Sequence, residues 1–279
     1  MSQSPPEKPN LPRPKLDVSN VETAPLVAPA AFVSEAETVG IVFEDGDVEK
    51  LGLYLALLLK ANETQNLTAV REPTDAWRRH ILDSLTLLPL LAEFPDGSKV
   101  IDVGSGGGLP GLPLAIVFPA LQFTLLEATG KKCDFLNQAI KRLGLKNVSV
   151  LQGRSERVAH DRGVRTDAKG TVSHSGGYRE QYDVVTARAV GRLATLSELT
   201  APLCKVGGRV LLIKGEKADE EVKEAEKALH TLKVVHIGTM ETPTGRIVIL
   251  EKRSATPRDF PRGDGEPARA PIGARREDR

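Results

Sequence analysis

Apolar segments recur along the middle of the chain, and their spacing alternates between that of strands and that of helices. Short aliphatic runs typical of buried parallel strands fall at 99–103, 122–127, 148–152, 182–187, 209–214, 233–239 and 246–252. Helical spacing occurs near 110–118, 130–143, 191–203 and 217–231. The alternation predicts an α/β fold with a seven-stranded, mostly parallel sheet, closed at one edge by an antiparallel hairpin.

Two amphipathic segments precede this sheet and predict an N-terminal helical cap over 41–93. The first runs over 47–61 and is capped by Asp47. The second begins at Pro73 and presents Arg79, His80 and Asp83 on its polar face. Arg79 and Asp83 are four residues apart and are expected to pair. For His80 two interpretations stay open: a half-buried histidine that orders the cap, or a substrate contact.

Three segments show neither helical nor strand periodicity. Residues 1–40 are rich in proline, and we expect disorder up to about Ala36. Residues 160–180 predict a flexible surface insertion within the main domain, which spans 94–252. Its arginines and Lys169 could touch RNA, although a solvated loop is the simpler interpretation. Residues 253–279 are rich in proline and glycine and mildly basic, which predicts a mobile tail able to settle on a polyanion.

The most informative stretch is KVIDVGSGGGLPG, residues 99–111. It predicts a strand closed by Asp102, a tight glycine turn and the beginning of a helix, where proline is tolerated. Glycine has no Cβ atom, so a ligand can lie against the backbone, and free N–H groups then point toward that ligand. A turn that serves only to reverse the chain is the alternative.

The spacing of the glycines narrows the class of ligand. A dinucleotide fingerprint, G-x-G-x-x-G, would need a glycine where Leu109 stands. The observed pattern, D-x-G-x-G-x-G over 102–108, resembles that of S-adenosylmethionine-dependent methyltransferases with a Rossmann-like sheet. Glu127 ends the second strand, where an acid can accept hydrogen bonds from ribose hydroxyls.

Composition excludes several other classes of protein. The 279 residues carry a net charge of +1, so any interaction with nucleic acid must be local. Cys133 and Cys204 have no metal or redox spacing, which suits a reducing compartment. The sequence contains no uninterrupted run of about 18 apolar residues, so we expect no membrane span. The N-terminus does not resemble a signal peptide. We therefore expect a cytoplasmic protein without membrane contact.

Seven segments together resemble the RsmG family, also called GidB or glucose-inhibited division protein B. They are NLTAVREP (66–73), RHILDSL (79–85), DVGSGGGLPGLPLAI (102–116), TLLEATGKKCDFL (124–136), RSE (154–156), DVVTARAV (183–190) and KG (214–215). The resemblance implies a Rossmann-like class I S-adenosylmethionine-dependent methyltransferase fold. It implies methylation of N7 of a guanosine in 16S ribosomal RNA of the small subunit.

The resemblance also implies roles for individual residues. Those expected to bind S-adenosyl-L-methionine are Gly104, Leu109, Glu127, Ala128, Thr129, Ser155, Glu156 and Arg188. Those expected to contact RNA are Lys214, Arg79 and His80. For Arg188 and Lys214, a solvated charge at a strand end is the alternative. No metal and no catalytic side chain are expected, because guanine N7 carries an in-plane lone pair and no proton, so the site has only to align the reactants.

Two other functions fit parts of the pattern. A small-molecule or protein methyltransferase could use the same fold, since fold alone does not specify a substrate. A non-enzymatic RNA- or ribosome-binding protein could retain the fold without binding the cofactor. We expect a monomer.

Overall fold

Nine strands and twelve α-helices are found in the part of the chain that the computed structural model describes, namely residues 17–18, 21–166, 172–174, 176–188 and 191–274. The strands are β1 (Lys99–Val103), β2 (Gln122–Glu127), β3 (Val148–Gln152), β4 (Val164–Thr166), β5 (Val172–His174), β6 (Tyr182–Arg188), β7 (Cys204–Lys214), β8 (Val234–Thr242) and β9 (Gly245–Lys252).

Seven of these strands form one sheet in the order β3-β2-β1-β6-β7-β9-β8. The first five in this order are parallel, whereas β9 is antiparallel to both β7 and β8. The predicted seven-stranded, mostly parallel sheet with its closing hairpin is confirmed. The direction of winding reverses between β1 and β6, and ligands of open α/β sheets bind at the carboxyl ends of the strands at such a point.

The helices cover both faces of the sheet and form the cap before it. They are α1 (Ala30–Thr38), α2 (Asp47–Gln65), α3 (Pro73–Ala76), α4 (Asp83–Leu85), α5 (Leu88–Leu91), α6 (Gly111–Val117), α7 (Gly130–Leu143), α8 (Ser155–Val158), α9 (Leu193–Thr200), α10 (Ala218–Glu224), α11 (Glu226–Leu232) and α12 (Glu266–Arg269). Trp77–Leu82 forms a π-helical turn between α3 and α4, and Ala201–Leu203 a 3-10 turn after α9.

Two buried apolar clusters lie on opposite faces of the sheet. Successive side chains of a strand point to opposite faces, so Val100 belongs to the cluster that contains the cap, and Ile101 to the other. Val184 and Val185 of β6 divide in the same way. Burial on both faces explains why these strands appear in the sequence as continuous apolar runs.

The expectation of disorder up to about Ala36 is wrong for residues 30–36. Ala30–Thr38 forms α1, and Phe32 is buried with its ring centroid 4.7 Å from that of Trp77. The segment AAFVSEAET contains no proline, so it can form a helix between Pro29 and Gly40. Residues 1–16 and 19–20 of the expected leader lie outside the described part of the chain.

The insertion at 160–180 is not flexible throughout. Val164–Thr166 and Val172–His174 pair as an antiparallel hairpin, while 167–171 and 175, including Lys169, lie outside the described residues. Arg179 is only 5% exposed, so it cannot touch RNA. Its guanidinium donates hydrogen bonds to four main-chain carbonyls, those of Ala159, Thr256, Pro257 and Phe260.

The tail from 253 to 274 is also packed rather than mobile. Thr256 and Pro267 are buried, and Arg262 forms an ion pair with the buried Glu198 of α9. Proline and glycine in this segment indicate irregular backbone, and the hydrogen bonds to its carbonyls and amides hold it in place. The last residues, 275–279, lie outside the described part of the chain.

No helix of the described residues is long and apolar enough to cross a membrane.

Arg179→Ala is expected to lower the free energy of unfolding by about 2–4 kcal/mol, because several buried carbonyls lose their donor. Urea unfolding measures the change. Arg258→Ala is the matched control, since Arg258 is exposed on the tail that Arg179 holds. Equal stability of the two variants would contradict a structural role for Arg179.

Candidate active site

The glycine turn after β1 is enclosed by protein on some sides and open on one. A Cβ atom at Gly107 would lie 2.7 Å from Leu58 Cδ1, and one at Gly111 2.3 Å from Leu125 Cδ2. At Gly106 the nearest atom would be the carbonyl oxygen of Gly104, at 3.8 Å. Gly106 has a φ of +57°, in the left-handed region that favours glycine. The structure therefore leaves room for a ligand beside Gly106.

Glu127 holds this turn from the end of β2. Its Oε2 accepts a hydrogen bond of 3.0 Å from the Gly106 N–H, and its Oε1 accepts one of 2.7 Å from the Thr129 N–H. Each carboxylate oxygen has a second lone pair. The carboxylate can therefore anchor the turn and still accept a hydrogen bond from a ligand hydroxyl.

Asp102 supports the turn from inside the fold. Its Oδ2 accepts from the Gly111 N–H at 3.2 Å, and its Oδ1 accepts from the Thr186 hydroxyl at 3.2 Å. Burial raises the pKa of this carboxyl to about 6, and its hydrogen bonds oppose that shift. Asp102 thus joins the end of β1 to α6 and to the neighbouring strand β6.

Tyr54 is a further support that the sequence did not reveal. Its hydroxyl donates a 2.8 Å hydrogen bond to the Gly107 carbonyl, and the ring is completely buried, which raises the pKa of the phenol. Tyr54 lies within the apolar run LGLYLALLL, where its position on the buried face of α2 was the only available signal. Nothing local to this run identifies a partner 53 residues away.

The residues predicted to bind the cofactor lie around the carboxyl edge of the sheet, but in different environments. Gly104, Ala128 and Thr129 are exposed there. Leu109 is buried in the apolar cluster that contains the cap.

Ser155 and Glu156 are 7% and 8% exposed. The Ser155 hydroxyl donates to the Leu199 carbonyl, and Glu156 Oε1 accepts from the Gly265 N–H at 2.9 Å. Neither partner could be predicted from the sequence, because each lies far away along the chain.

Arg188 connects the end of β6 to the cap. Its Nη1 donates to the Arg79 carbonyl at 3.1 Å and to Asp83 Oδ2 at 3.2 Å. The predicted pair between Arg79 and Asp83 is therefore wrong. The π-helical turn Trp77–Leu82 changes the angular offset between positions four residues apart, and Asp83 pairs with Arg188 instead.

The burial and hydrogen bonds of His80 favour a structural role, although the side chain also lines the cavity described below. It is 4% exposed, its Nε2 lies 2.7 Å from the Thr68 hydroxyl, and its Nδ1 lies 3.0 Å from the Arg79 carbonyl. Burial and the nearby positive charge of Arg188 lower its pKa to about 4. The imidazole is therefore neutral near pH 7 and orders the segment that leads from α2 to α3.

Lys214 and Arg79 differ in how free their charges are. The Lys214 ammonium forms a 2.8 Å ion pair with Glu221 and donates to the Gly191 carbonyl at 2.8 Å, and its side chain is 8% exposed. It ties β7 to α10 rather than presenting a free charge. Arg79 is exposed, and its guanidinium has no hydrogen bond or ion pair with any residue that the structure describes.

A cavity of about 640 Å³ brings these residues together. Its walls are Leu67, Thr68, Ala69, Val70, Arg78, Arg79, His80, Asp83, Arg188, Ile213, Lys214, Gly215 and Thr244. Leu67 also lies against the glycine turn, 3.6 Å from where a Gly107 Cβ would stand. The cavity therefore adjoins the turn. No group of three or more potential metal ligands occurs among the described residues.

Comparison with known proteins relates the chain to one family. A family model described as rRNA small subunit methyltransferase G (GidB) matches residues 47–248. The ribosomal RNA small subunit methyltransferase G of Sorangium cellulosum is 45% identical over 237 residues, covering 85% of this chain and 93% of that protein. The protein of the same name from Leuconostoc citreum is 36% identical over 252 residues, covering 87% of this chain and 98% of that protein.

Among solved structures, an S-adenosylmethionine-dependent methyltransferase from Aquifex aeolicus is similar, with a TM-score of 0.42 and 17% identity over 61% of this chain and 90% of that chain. The family model covers most of the chain, including the glycine turn, Glu127 and the cavity residues. The chain belongs to the rRNA small subunit methyltransferase G family, and its fold is the Rossmann-like class I methyltransferase fold.

Proposed function

We propose that this protein methylates N7 of a guanosine in 16S ribosomal RNA, with the cofactor bound at the open side of the glycine turn and the base in the adjoining cavity. Membership of the family makes the protein a methyltransferase of small-subunit ribosomal RNA that uses S-adenosylmethionine. The observation that carries the residue-level proposal is the open space at Gly106 beside the carboxylate of Glu127.

The residues at this edge fit S-adenosylmethionine. Glu127 would accept from the ribose hydroxyls with the lone pairs that Gly106 and Thr129 leave free. Gly104, Ala128 and Thr129 are exposed beside it and would line the nucleoside and methionine parts. Ser155 and Glu156 would form the adenine side, and Arg188 would face the methionine carboxylate or the RNA.

The chemistry asks little of the protein beyond alignment. The bound cofactor supplies an electrophilic methyl group on a sulfonium, and guanine N7 attacks it without losing a proton. The chain has to hold both groups in line and exclude water. The hydrogen bonds of Glu127, Asp102 and Tyr54 make the turn rigid, and the ion pair of Arg188 with Asp83 fixes the wall of the cavity next to it.

The cavity favours RNA over the small-molecule and protein substrates that the fold alone allows. Four cationic side chains line it, and three of them are ion-paired: Arg78 with Glu35, Arg188 with Asp83 and Lys214 with Glu221. The exposed guanidinium of Arg79 has no ion-pair partner among the described residues, so it can contact a phosphate of an RNA backbone. Because its proposed substrate is ribosomal RNA, we propose that the enzyme acts in the cytoplasm. One chain supplies both the turn and the cavity, so we propose that it acts as a monomer.

Mapping of modified bases tests the function. We expect N7-methylguanosine to disappear from one position of 16S ribosomal RNA when the gene is deleted, and to return when the purified protein and S-adenosylmethionine are added to small subunits. An unchanged set of N7-methylguanosines would contradict the proposal, and a methylated small molecule or protein would support the alternative substrates.

Gly106→Ala is expected to weaken binding of S-adenosylhomocysteine at least about tenfold, because the methyl group would enter the ligand's space. The left-handed backbone adds a cost of roughly 1–2 kcal/mol. Calorimetric titration measures the affinity. Gly144→Ala is the control for this strain, since Gly144 has a φ of +67° and open space around it, at the far end of α7. Equal loss of affinity in both variants would show that Gly106 acts only through stability.

Arg79→Ala is expected to weaken binding of 16S RNA and to reduce the salt dependence of that binding by about one phosphate contact. Binding of S-adenosylhomocysteine should not change, because Arg79 holds no residue of the turn through its side chain. Arg142→Ala is the control, an exposed charge at the far end of α7. A salt dependence equal to that of the wild type would exclude Arg79 from the RNA interface.

A further inference from the structure

Residues 253–274, here called the C-terminal strap, lie beyond the part of the chain that the family model matches, which ends at 248. The strap follows β9 and contacts both α8 and α9. Because Ser155 and Glu156 open α8, the strap touches the segment proposed to bind the adenine side of the cofactor. This contact suggests a role for the strap besides stability.

Charged groups anchor the strap at two positions, Thr256 and Arg262. Glu198 of α9 has a fully buried side chain and accepts from the main-chain N–H, the Nε and the Nη2 of Arg262, at 2.8, 2.9 and 2.6 Å. Glu180 accepts from the Thr256 N–H at 2.8 Å and pairs with the buried ammonium of Lys252. A buried carboxylate that lost these donors would be strongly destabilised, so the strap has one well-defined position.

From these anchors the strap reaches α8 through Asp264 and Gly265. Asp264 Oδ2 pairs with Arg157 Nη2 at 2.7 Å and lies 3.7 Å from Arg154 Nε. The Gly265 N–H donates to Glu156 Oε1 at 2.9 Å. His160, just after α8, has its Nε2 2.7 Å from the Pro261 carbonyl. The strap thus contacts α8 before, within and after its single turn.

A helix as short as α8, four residues, has little stability of its own. Its orientation therefore depends on these contacts and on the bond from the Ser155 hydroxyl to Leu199. The bond from Gly265 also fixes the rotamer of Glu156. Glu156 Oε1 accepts this bond, whereas Glu156 Oε2 has no hydrogen-bond donor among the described residues.

We propose that Asp264 and Gly265 are positioning residues for the methyl-transfer reaction: the C-terminal strap holds the Ser155–Glu156 turn in the conformation that binds the adenine side of the cofactor. This inference rests on the proposed function, because it takes the cofactor site at Ser155–Glu156 from it. Docking of the strap and binding of the cofactor are then thermodynamically coupled, and each strengthens the other by the same factor.

Charge reversal in the full-length protein tests the coupling. Asp264→Arg places a cation against Arg154 and Arg157, and we expect the affinity for S-adenosylhomocysteine to fall about tenfold. The double variant Asp264→Arg with Arg157→Glu restores the ion pair and should recover most of that affinity. Asp259→Arg is the control, an exposed acidic residue of the strap, to be matched for melting temperature.

A second measurement needs no variant. In the wild-type protein, saturating S-adenosylhomocysteine should slow hydrogen exchange at the Gly265 amide by about the same factor, whereas amides of α1 in the N-terminal cap should not respond. A strap that only stabilises the fold would show no such protection.

The outcomes separate the two proposals. If the wild type binds S-adenosylhomocysteine and the Asp264→Arg variant binds it equally well, or the charge swap fails to recover its affinity, the strap inference is overturned and the proposed function stands. Unchanged exchange at Gly265 overturns it as well. If the wild type does not bind S-adenosylhomocysteine, the proposed cofactor site itself is wrong.

Discussion

The site depends on the hydrogen bonds that the Glu127 carboxylate accepts from two main-chain amides, one in each of two neighbouring turns. The carboxylate joins the turn after β1 to the turn after β2 through the amides of Gly106 and Thr129. The Gly104 and Ser105 amides also donate to the Leu126 carbonyl, and Glu127 extends this connection between the two loops to Gly106. Because they are joined, the open space beside Gly106 has a fixed shape, and a ligand does not have to order the loops when it binds.

The N-terminal cap is part of this site and not a separate unit. Tyr54 of α2 holds the glycine turn, and Leu67, which follows α2, lies between the turn and the cation-lined cavity. Arg188 then connects β6 to Asp83 in the cap. The proposed cofactor site and the proposed substrate cavity are therefore built on the same few elements, which suits a reaction whose main demand is alignment.

The sequence predicts the sheet almost completely, because burial on both faces gives each central strand a continuous apolar run. It also predicts the glycine turn, because the glycines that follow β1 are themselves the local signal for a tight turn. The pair of Asp83 with Arg188 and the bond of Tyr54 to Gly107 were missed because each joins residues far apart in the chain. The sequence predicts a mobile tail where the strap lies, because its irregular composition is the same whether or not buried charges such as Arg179 and Glu198 hold its backbone.

Titration of S-adenosylhomocysteine into the wild-type protein, and into Glu127→Ala and Glu127→Gln variants that remain folded, tests whether the site depends on the Glu127 carboxylate. We expect the wild type to bind one equivalent and Glu127→Ala to lose binding. The affinity of Glu127→Gln should lie between them, since its amide can accept from only one of the two N–H groups. Binding by Glu127→Ala as tight as that of the wild type would show that the site does not depend on this carboxylate.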